Sequence, residues 1–393
     1  MKYRLPPLRL TGATILRDNE LQDRSLAIAD GRITKGSYRA VDLSGYYILP
    51  GIIDLHGDVI DRHMAPDATS PQSMMAGLAG VDRDAAANGV TTAWVAQHWS
   101  WQGGRHGPDT AEAMLQARDA YATDAMTDLR VQLRFETHTF DSTDRLLRAV
   151  RQHRVDYVMF QNSLDKALLM KDIDPDGFAT KARALGWPPI EYGQIVNEAR
   201  KRDQEVPRRL CKMAEAFDLM KTIYGSHNDP DGETREMYAM LGARICEIPT
   251  TFSAASVARA VGDPVLMGAP DVLRKATQTG HVSAMSLIKA SKCDALVSQS
   301  FYPALSQAAF ALVDQNLKSL PAAWRMISQT PASILRLTDR GIIDIGKRAD
   351  LAIVNKTTRR VEATISNGRL SHLFGEAAYR FVSGQTINSM AAE

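Results

Sequence analysis

Hydrophobic residues in the middle of the chain come in short runs that alternate with stretches of helical spacing. Intervening segments such as 109–122 and 201–216 have the apolar periodicity of helices. The alternation predicts βα units around a parallel sheet. Eight runs qualify as strands, which indicates a (β/α)₈ barrel, with a doubly wound sheet as the alternative. The runs are YYILPGIIDL, TTAWVA, LRVQLRFE, VDYVMF, MKTIYG, ARICEIP, DALVSQ and a weaker one at Val265 to Met267.

The two ends of the chain have a different pattern, made of shorter β-like runs broken by turn residues. LRLTGATIL and SLAIADGRI lie near the start, and the pair Asp30-Gly31 in the second run is typical of a β-hairpin turn. GIIDIGKRADLAIVN repeats this pattern near the end. We therefore predict one small composite β-sandwich domain from residues 1–50 and 341–393, with the barrel at residues 51–340.

Composition and charge narrow the class of protein. Of the 393 residues, 45% are hydrophobic and 23% charged, as in an ordinary globular protein. The net charge of +2 argues against a dedicated nucleic-acid surface, and no apolar run reaches the roughly 18 residues of a membrane span. The first residues are too weakly apolar for a signal peptide, so we expect a cytoplasmic protein. Three widely spaced cysteines provide neither a disulfide framework nor a CxxC zinc site.

The clearest chemical motif is His56-Gly57-Asp58, at the end of the first barrel strand. Alternation along a strand puts His56 and Asp58 on one face, so both side chains can share a metal ion in the barrel mouth. The alternative is a strand-end turn in which the aspartate caps a helix.

Two further strand ends have residues of the same kind. The run from Arg134 to His138 places Glu136 where a carboxylate can bind or bridge metal, although charges facing water on a surface strand are the alternative. His227 and Asp229 follow another strand, where a lone histidine is more often structural. Because barrel sites are assembled from the carboxyl ends of several strands, the repetition favours a site.

The motifs also resemble a known family. PGIIDLHGD and DRGIIDIGKRADLAIV resemble the amidohydrolase superfamily, in which they flank a metal-binding barrel. DLHGDVIDRHMAP, GSHND, EIPTT, MGAPDVLR, TGHVSA and SFYPA, taken in order, resemble the triphosphate diphosphatases of the carbon-phosphorus lyase (phosphonate) pathway.

The resemblance implies a metal-dependent hydrolase that cleaves ribose 1-methylphosphonate 5-triphosphate to the 5-phosphate and pyrophosphate. It also implies one or two divalent ions, with zinc expected and manganese or iron as alternatives, a small phosphorylated substrate and a homodimer. The metal ligands that it implies are His56, Asp58, Glu136 and His227. The substrate contacts that it implies are His63, Arg274, Gly280, His281 and Ser283.

The chain also departs from the family pattern at four positions of the active site. Gln161 stands where a histidine ligand is expected, and Ser300 where an aspartate orients or deprotonates the water. Asn228 replaces an acid, and Asp67 replaces an arginine. Without an acid at Ser300, Asp229 is the candidate base, because an extended strand end would place it on the face of His227. The alternative is that Asp229 is a turn residue.

Three functions are consistent with these departures. The first is a diphosphatase of the same pathway with a rearranged site. The second is an amidohydrolase that cleaves another amide or phosphoester bond. The third is a catalytically silent paralogue with a binding role.

Overall fold

The computed structural model describes residues 4–64, 70–274 and 280–390. The predicted position Asp67 lies outside the described residues. In the described residues the strands are β1 (Leu8–Thr11), β2 (Thr14–Arg17), β3 (Glu20–Asp23), β4 (Leu26–Ala29), β5 (Arg32–Thr34), β6 (Arg39–Asp42), β7 (Tyr46–Pro50), β8 (Ile52–Gly57), β9 (Val90–Trp99), β10 (Asp128–Glu136), β11 (Tyr157–Gln161), β12 (Ile223–His227), β13 (Cys246–Glu247), β14 (Val265–Gly268), β15 (Ala295–Val297), β16 (Leu351–Asn355), β17 (Val361–Ser366) and β18 (Arg369–Leu373).

The α-helices of the same residues are α1 (Pro71–Ala87), α2 (Pro108–Tyr121), α3 (Thr143–Gln152), α4 (Leu164–Ile173), α5 (Pro175–Ala184), α6 (Pro189–Lys201), α7 (Val206–Met220), α8 (Gly232–Met240), α9 (Phe252–Ala260), α10 (Ala269–Leu273), α11 (Ala284–Lys289), α12 (Pro303–Asp314), α13 (Leu320–Arg325), α14 (Gln329–Ile334) and α15 (Gly375–Met390). None of the helices that the structure describes is long and apolar enough to cross a membrane.

Two small sheets contain the strands from the chain ends. One has the order β5-β4-β1-β6, and the other has the order β18-β17-β16-β7-β2-β3. The second sheet joins the ends, because Leu351 of β16 pairs antiparallel with Pro50 of β7. The predicted hairpin at Asp30-Gly31 is confirmed: both residues have positive φ, 52° and 78°, as a type I′ turn between β4 and β5 requires. Side chains from both sheets form a separate apolar core.

The strands β8 to β15 form one parallel sheet in chain order, with helices outside it. Hydrogen bonds of Gln299 close the sheet, because its N–H donates to the carbonyl of His56 (3.0 Å) and its carbonyl accepts from the N–H of Asp58 (2.6 Å). We call this contact, between β8 and the residues that follow β15, the barrel seam. The Asp54 carboxylate strengthens the seam by accepting hydrogen bonds from the N–H (2.9 Å) and the hydroxyl (2.5 Å) of Ser298. The predicted (β/α)₈ barrel with an added β-sandwich domain is thus confirmed.

The interior of the barrel is filled rather than hollow. Apolar side chains from alternate strand positions, among them Ile53, Trp94 and Met159, pack together inside it. Residues of α14, such as Ala332, close its lower end. A packed interior leaves the carboxyl ends of the strands as the place where polar side chains can meet a ligand.

One βα connection is much longer than the others. Between β11 and β12 the chain forms α4 to α7, and Leu164, Phe178, Tyr192 and Val196 give α4, α5 and α6 a small core of their own. These helices extend the wall of the barrel mouth on one side, so they add side chains to the cavity described below.

Candidate active site

Three buried side chains meet at the carboxyl ends of β8, β12 and β13. His56, His227 and Glu247 each offer one ligand atom within 4.8 Å of the other two. Glu247 Oε2 lies 2.7 Å from Nδ1 of His227 and 3.0 Å from Nδ1 of His56. Two imidazoles and one carboxylate are the protein ligands of a common catalytic zinc site. The donor set therefore fits one divalent ion.

The carboxylate of Glu247 is fixed from its other side. Its Oε1 accepts from the Gln132 amide at 2.9 Å and from the Tyr157 hydroxyl at 3.5 Å, so Oε2 faces the two histidines. By contrast, Nδ1 of His56 is buried and has no hydrogen-bond partner of good geometry among the described residues. A fixed carboxylate beside an unsatisfied ring nitrogen is an arrangement that a cation would complete.

The charges of the cluster follow from its burial. Burial disfavours a charged ring at His56, but Glu247 and Asp58 raise the pKa of that ring to about 9. Burial lowers the pKa of His227 to about 4. Burial also opposes ionisation of Glu247, yet the two histidines hold the pKa of this carboxyl well below its usual range. The ion-free cluster therefore contains a cationic His56, an anionic Glu247 and a neutral His227.

An arginine from the neighbouring strand lies beside the His56-Asp58 motif. Arg134 is 5% exposed, its guanidinium donates to Asp58 Oδ1, and its Nη2 lies 2.8 Å from His56 Nε2. Asp58 Oδ2 also lies 2.8 Å from the same histidine nitrogen. Strand alternation explains this position, because Gln132 and Arg134 of β10 both point into the barrel.

The cluster opens into a cavity of about 200 Å³ whose wall is largely polar. His56 and His227 line it together with the cationic side chains of Arg274 and Lys166 and with His281. A larger cavity of about 620 Å³ adjoins it and shares His227, Lys166 and His281. Side chains of α4, α5 and α7 line the larger cavity, so the long βα connection enlarges the mouth.

Two carboxylates line the smaller cavity. Asp58 is 41% exposed, and its contacts with Arg134 and His56 hold the pKa of its carboxyl well below the usual range despite burial. Asp271 lies in the first turn of α10, which follows β14, and forms an ion pair with Arg274 at 3.3 Å. Burial raises the pKa of Asp271. Asp271 is therefore the better proton acceptor of the two.

The structure brings His56 and His227 together, as the sequence predicts, and the cluster that they form with Glu247 does not include Glu136. The Glu136 carboxylate accepts from the backbone N–H of Ser163 at 3.0 Å, and burial raises the pKa of the carboxyl to about 7. Asp58 is likewise outside the three-residue cluster, although its Oδ2 lies 2.8 Å from Nε2 of His56. The roles of Asp58 and Glu136 as metal ligands stay predictions, and Glu247 is a third candidate ligand beside His56 and His227.

The predicted substrate contacts divide in the same way. Arg274 and His281 line the cavity. His63 instead lies against α1, where its Nε2 is 3.7 Å from the Asp84 carboxylate, so it contacts the helix rather than the cavity. Ser283 caps α11 by accepting from the N–H of Ser286 at 2.9 Å. Gly280 is an exposed turn residue with φ of 85°.

Asp229 lines the larger cavity together with His227, so its role as the base stays a prediction. Asn228 has φ of 62°, which breaks the extended strand on which the alternation rested. The Asp229 carboxylate turns back to accept from the Ser226 hydroxyl at 2.6 Å and lies 3.6 Å from the fully buried Arg235. These contacts give Oδ2 of Asp229 structural partners, whereas its Oδ1 is buried without a hydrogen-bond partner among the described residues.

The departures at Gln161 and Ser300 have separate surroundings. Gln161 ends β11 and lines the larger cavity, and its Oε1 has no partner among the described residues. Ser300 is exposed beyond the end of β15. Sequence reasoning missed Glu247 and Asp271, although the position of Glu247 at the end of ARICEIP was the same kind of signal that identified His56 and His227.

Comparison with known proteins gives one relative in sequence and several in structure. No family model matches the chain. Alpha-D-ribose 1-methylphosphonate 5-triphosphate diphosphatase of Escherichia coli (strain K12) is 27% identical over 376 residues, which cover 90% of this chain and 96% of that protein.

Two of the similar solved structures have 12% identity and TM-scores of 0.62, and this likeness concerns the fold alone. N-acetylglucosamine-6-phosphate deacetylase from Pasteurella multocida matches over 93% of this chain and 99% of its own. Beta-aspartyl dipeptidase from Fervidobacterium islandicum AW-1 matches over 94% and 98%. The chain therefore has the fold of the amidohydrolase superfamily and resembles, along nearly its whole length, the diphosphatase of Escherichia coli.

Proposed function

We propose that this protein is a metal-dependent hydrolase that cleaves a phosphoric anhydride bond in a small phosphorylated substrate. The observation that carries the proposal is the convergence of His56, His227 and Glu247 at the mouth of the barrel, in a cavity with cationic walls. The name of the Escherichia coli relative supports the finer assignment, a ribose triphosphate cleaved with release of pyrophosphate.

We assign His56, His227 and Glu247 as the ligands of one divalent ion, zinc by the donor set, with manganese or iron as alternatives. When bound, such an ion lowers the pKa of water to about 7 and stabilises negative charge on phosphoryl oxygens. The rest of the chemistry belongs to residues of the chain.

The cationic residues of the cavity hold the phosphates. Arg274 is 60% exposed at the cavity wall, and Asp271 is its one ion-pair partner among the described residues, so its guanidinium fork can contact a ligand. Lys166 and His281 line both cavities, so they can contact a substrate that extends from the cluster into the larger space. Neighbouring cationic groups favour a polyanionic ligand over a neutral one.

Asp271 accepts the proton of the attacking water in this proposal. It is a carboxylate of the same cavity, and burial raises its pKa toward the range in which a general base works. Its pairing with Arg274 places the acceptor beside a phosphate-binding group. This role would replace the acid that is missing at Ser300.

The test begins with protein purified without chelator. Metal content is measured by mass spectrometry, and pyrophosphate release is followed with a ribose 5-triphosphate as substrate. We expect about one ion per chain and activity that chelation removes. Glu247→Gln should lose both, and Asp271→Asn should keep the ion and lose about 10²–10⁴-fold in kcat. Asp172→Asn, on the exposed side of α4, is the matched control and should match the wild type.

Other results would overturn the proposal. Protein without metal and without activity favours a binding role. Bound metal with hydrolysis of amides but not of triphosphates favours another amidohydrolase reaction. Full activity in Asp271→Asn removes that residue as the proton acceptor.

A further inference from the structure

We propose that Asp58 and Arg134 are a positioning pair that orients His56 and limits the site to one ion, and that Asp58 is not a metal ligand. The proposal rests on the proposed function, because it takes His56, His227 and Glu247 as the ligands. It concerns the two charged residues that the His-x-Asp motif and β10 place beside them.

The two nitrogens of the His56 ring face different partners. Nδ1 lies 3.0 Å from Glu247 Oε2, on the side of the cluster that His227 shares. Nε2 lies 2.8 Å from Asp58 Oδ2, on the other side of the ring. When Nδ1 provides its lone pair to an ion, the ring proton must be on Nε2, where Asp58 accepts it. A carboxylate in this position fixes the ring and its tautomer.

Arg134 fixes Asp58 in turn. Its guanidinium donates to Asp58 Oδ1, so the two carboxylate oxygens have separate partners, one arginine and one histidine. Arg134 is 5% exposed, so its end of this contact is buried, whereas the Asp58 side chain is 41% exposed. Both carboxylate oxygens of Asp58 already have a protein partner, so a bond to an ion would compete with these contacts.

The same guanidinium excludes a second ion. Its Nη2 lies 2.8 Å from His56 Nε2, so a positive charge is already present next to both the imidazole and the carboxylate of the motif. A divalent ion placed between these groups would meet the positive charge of the arginine at contact distance. The geometry therefore supports a single ion on the Nδ1 side of His56.

Titration of the chelator-stripped protein with Co²⁺ tests the pair, because the visible absorption of bound Co²⁺ reports its ligand geometry. We expect one equivalent in the wild type. Asp58→Asn and Arg134→Met should also bind one equivalent, with the same spectrum and affinity lower by about 10–100-fold. Because both residues act through one contact, the double variant should be little weaker than the weaker single variant. Glu247→Gln, which removes a ligand, should change the spectrum, and Arg134→Lys, which keeps the charge, should stay closest to the wild type.

Several results overturn the proposal while the proposed function stands. They are two equivalents in the wild type, an altered spectrum or no binding in folded Asp58→Asn, unchanged affinity in both single variants, or fully additive losses. No Co²⁺ in the wild type overturns the metal site itself. Circular dichroism checks that each variant is folded, and the wild-type stoichiometry decides the question of the second ion even where a variant does not fold.

Discussion

Replacing Gln132 by leucine tests how the cluster is held in place. Gln132 is fully buried, and its amide donates to Glu247 Oε1 at 2.9 Å and to the carbonyl of Leu55 at 3.2 Å. Leucine has a similar size and cannot donate. Glu247 then keeps only the Tyr157 hydroxyl at 3.5 Å on that side. The carboxylate therefore loses both its main donor and the contact that aims Oε2 at the histidines.

The magnitude follows from the contacts of Gln132. A hydrogen bond to a charged group contributes about 1.5–3 kcal/mol, and the neutral bond to Leu55 about 0.5–1.5 kcal/mol. Gln132 Oε1 has no partner among the described residues, so removing that buried acceptor recovers about 1–3 kcal/mol. We expect a net loss of about 1–3 kcal/mol in the free energy of unfolding, and metal affinity lower by about 10–100-fold.

Urea unfolding of the metal-free protein, followed by tryptophan fluorescence, measures the first quantity, and Co²⁺ titration measures the second. Tyr157→Phe is the matched comparison, because it removes only the 3.5 Å contact and should change the affinity less. Wild-type metal affinity in a folded Gln132→Leu variant would refute the reasoning that Gln132 positions Glu247.

Three further predictions concern the scaffold. Ser298→Ala should lower the free energy of unfolding by about 1.5–3 kcal/mol, because the Ser298 hydroxyl donates to the buried Asp54 carboxylate at the barrel seam. Ser300→Ala, at an exposed position, is the control and should change the free energy of unfolding by less than about 0.5 kcal/mol in the same urea assay. Asp229→Asn should also be destabilised in urea but keep wild-type Co²⁺ affinity; a loss of metal binding in the folded variant would return Asp229 to the site. Arg130 and Arg340 hold the pKa of the Asp128 carboxyl below its usual range, although burial alone would raise it. The free energy that ionised Asp128 contributes to folding is therefore fully present above the unfolded-chain pKa of about 4. It is lost as the pH falls through the lower pKa of the folded protein. The difference between the wild type and Asp128→Asn in urea should therefore shrink on acidification, and a constant difference down to pH 2 would contradict the assignment.

The fold could be predicted from the sequence because its determinants are local. Apolar runs of strand length alternate with helical stretches, and each run became a barrel strand in chain order. The pair Asp30-Gly31 determines a local turn, because both residues adopt the positive φ that a type I′ turn requires. The seam is different, since it depends on Gln299 and Ser298 meeting β8 across about 240 residues, and no local pattern indicates such a contact.

The candidate site could be predicted only in part, for the same physical reason. His227 ends a strand of clear apolar pattern, so strand alternation directs it into the mouth. His56 ends such a strand as well, but the pairing of β8 with β9 shifts register between Asp54 and Gly57, so alternation alone does not set its direction. Glu247 ends a strand of two residues and is followed by Ile248 with φ of 51°, so its run has too little alternation to assign a face. For Asp229 the alternation argument does not apply, because the left-handed Asn228 interrupts the extended strand between Asp229 and His227.

The charges of the site predict that this barrel folds before any ion binds. His56 and Arg134 are cationic, Glu247 and Asp58 are anionic, and His227 is neutral, so the two positive and two negative groups balance. Each buried charge also has an opposite charge in contact, which limits the cost of its desolvation. Small zinc domains are different, because their folding free energy comes from the ion. In this chain a bound ion would stabilise a protein that is already folded, by an amount set by the ion's affinity and concentration. The metal-free protein should therefore be folded, and it is the reference state for each titration above.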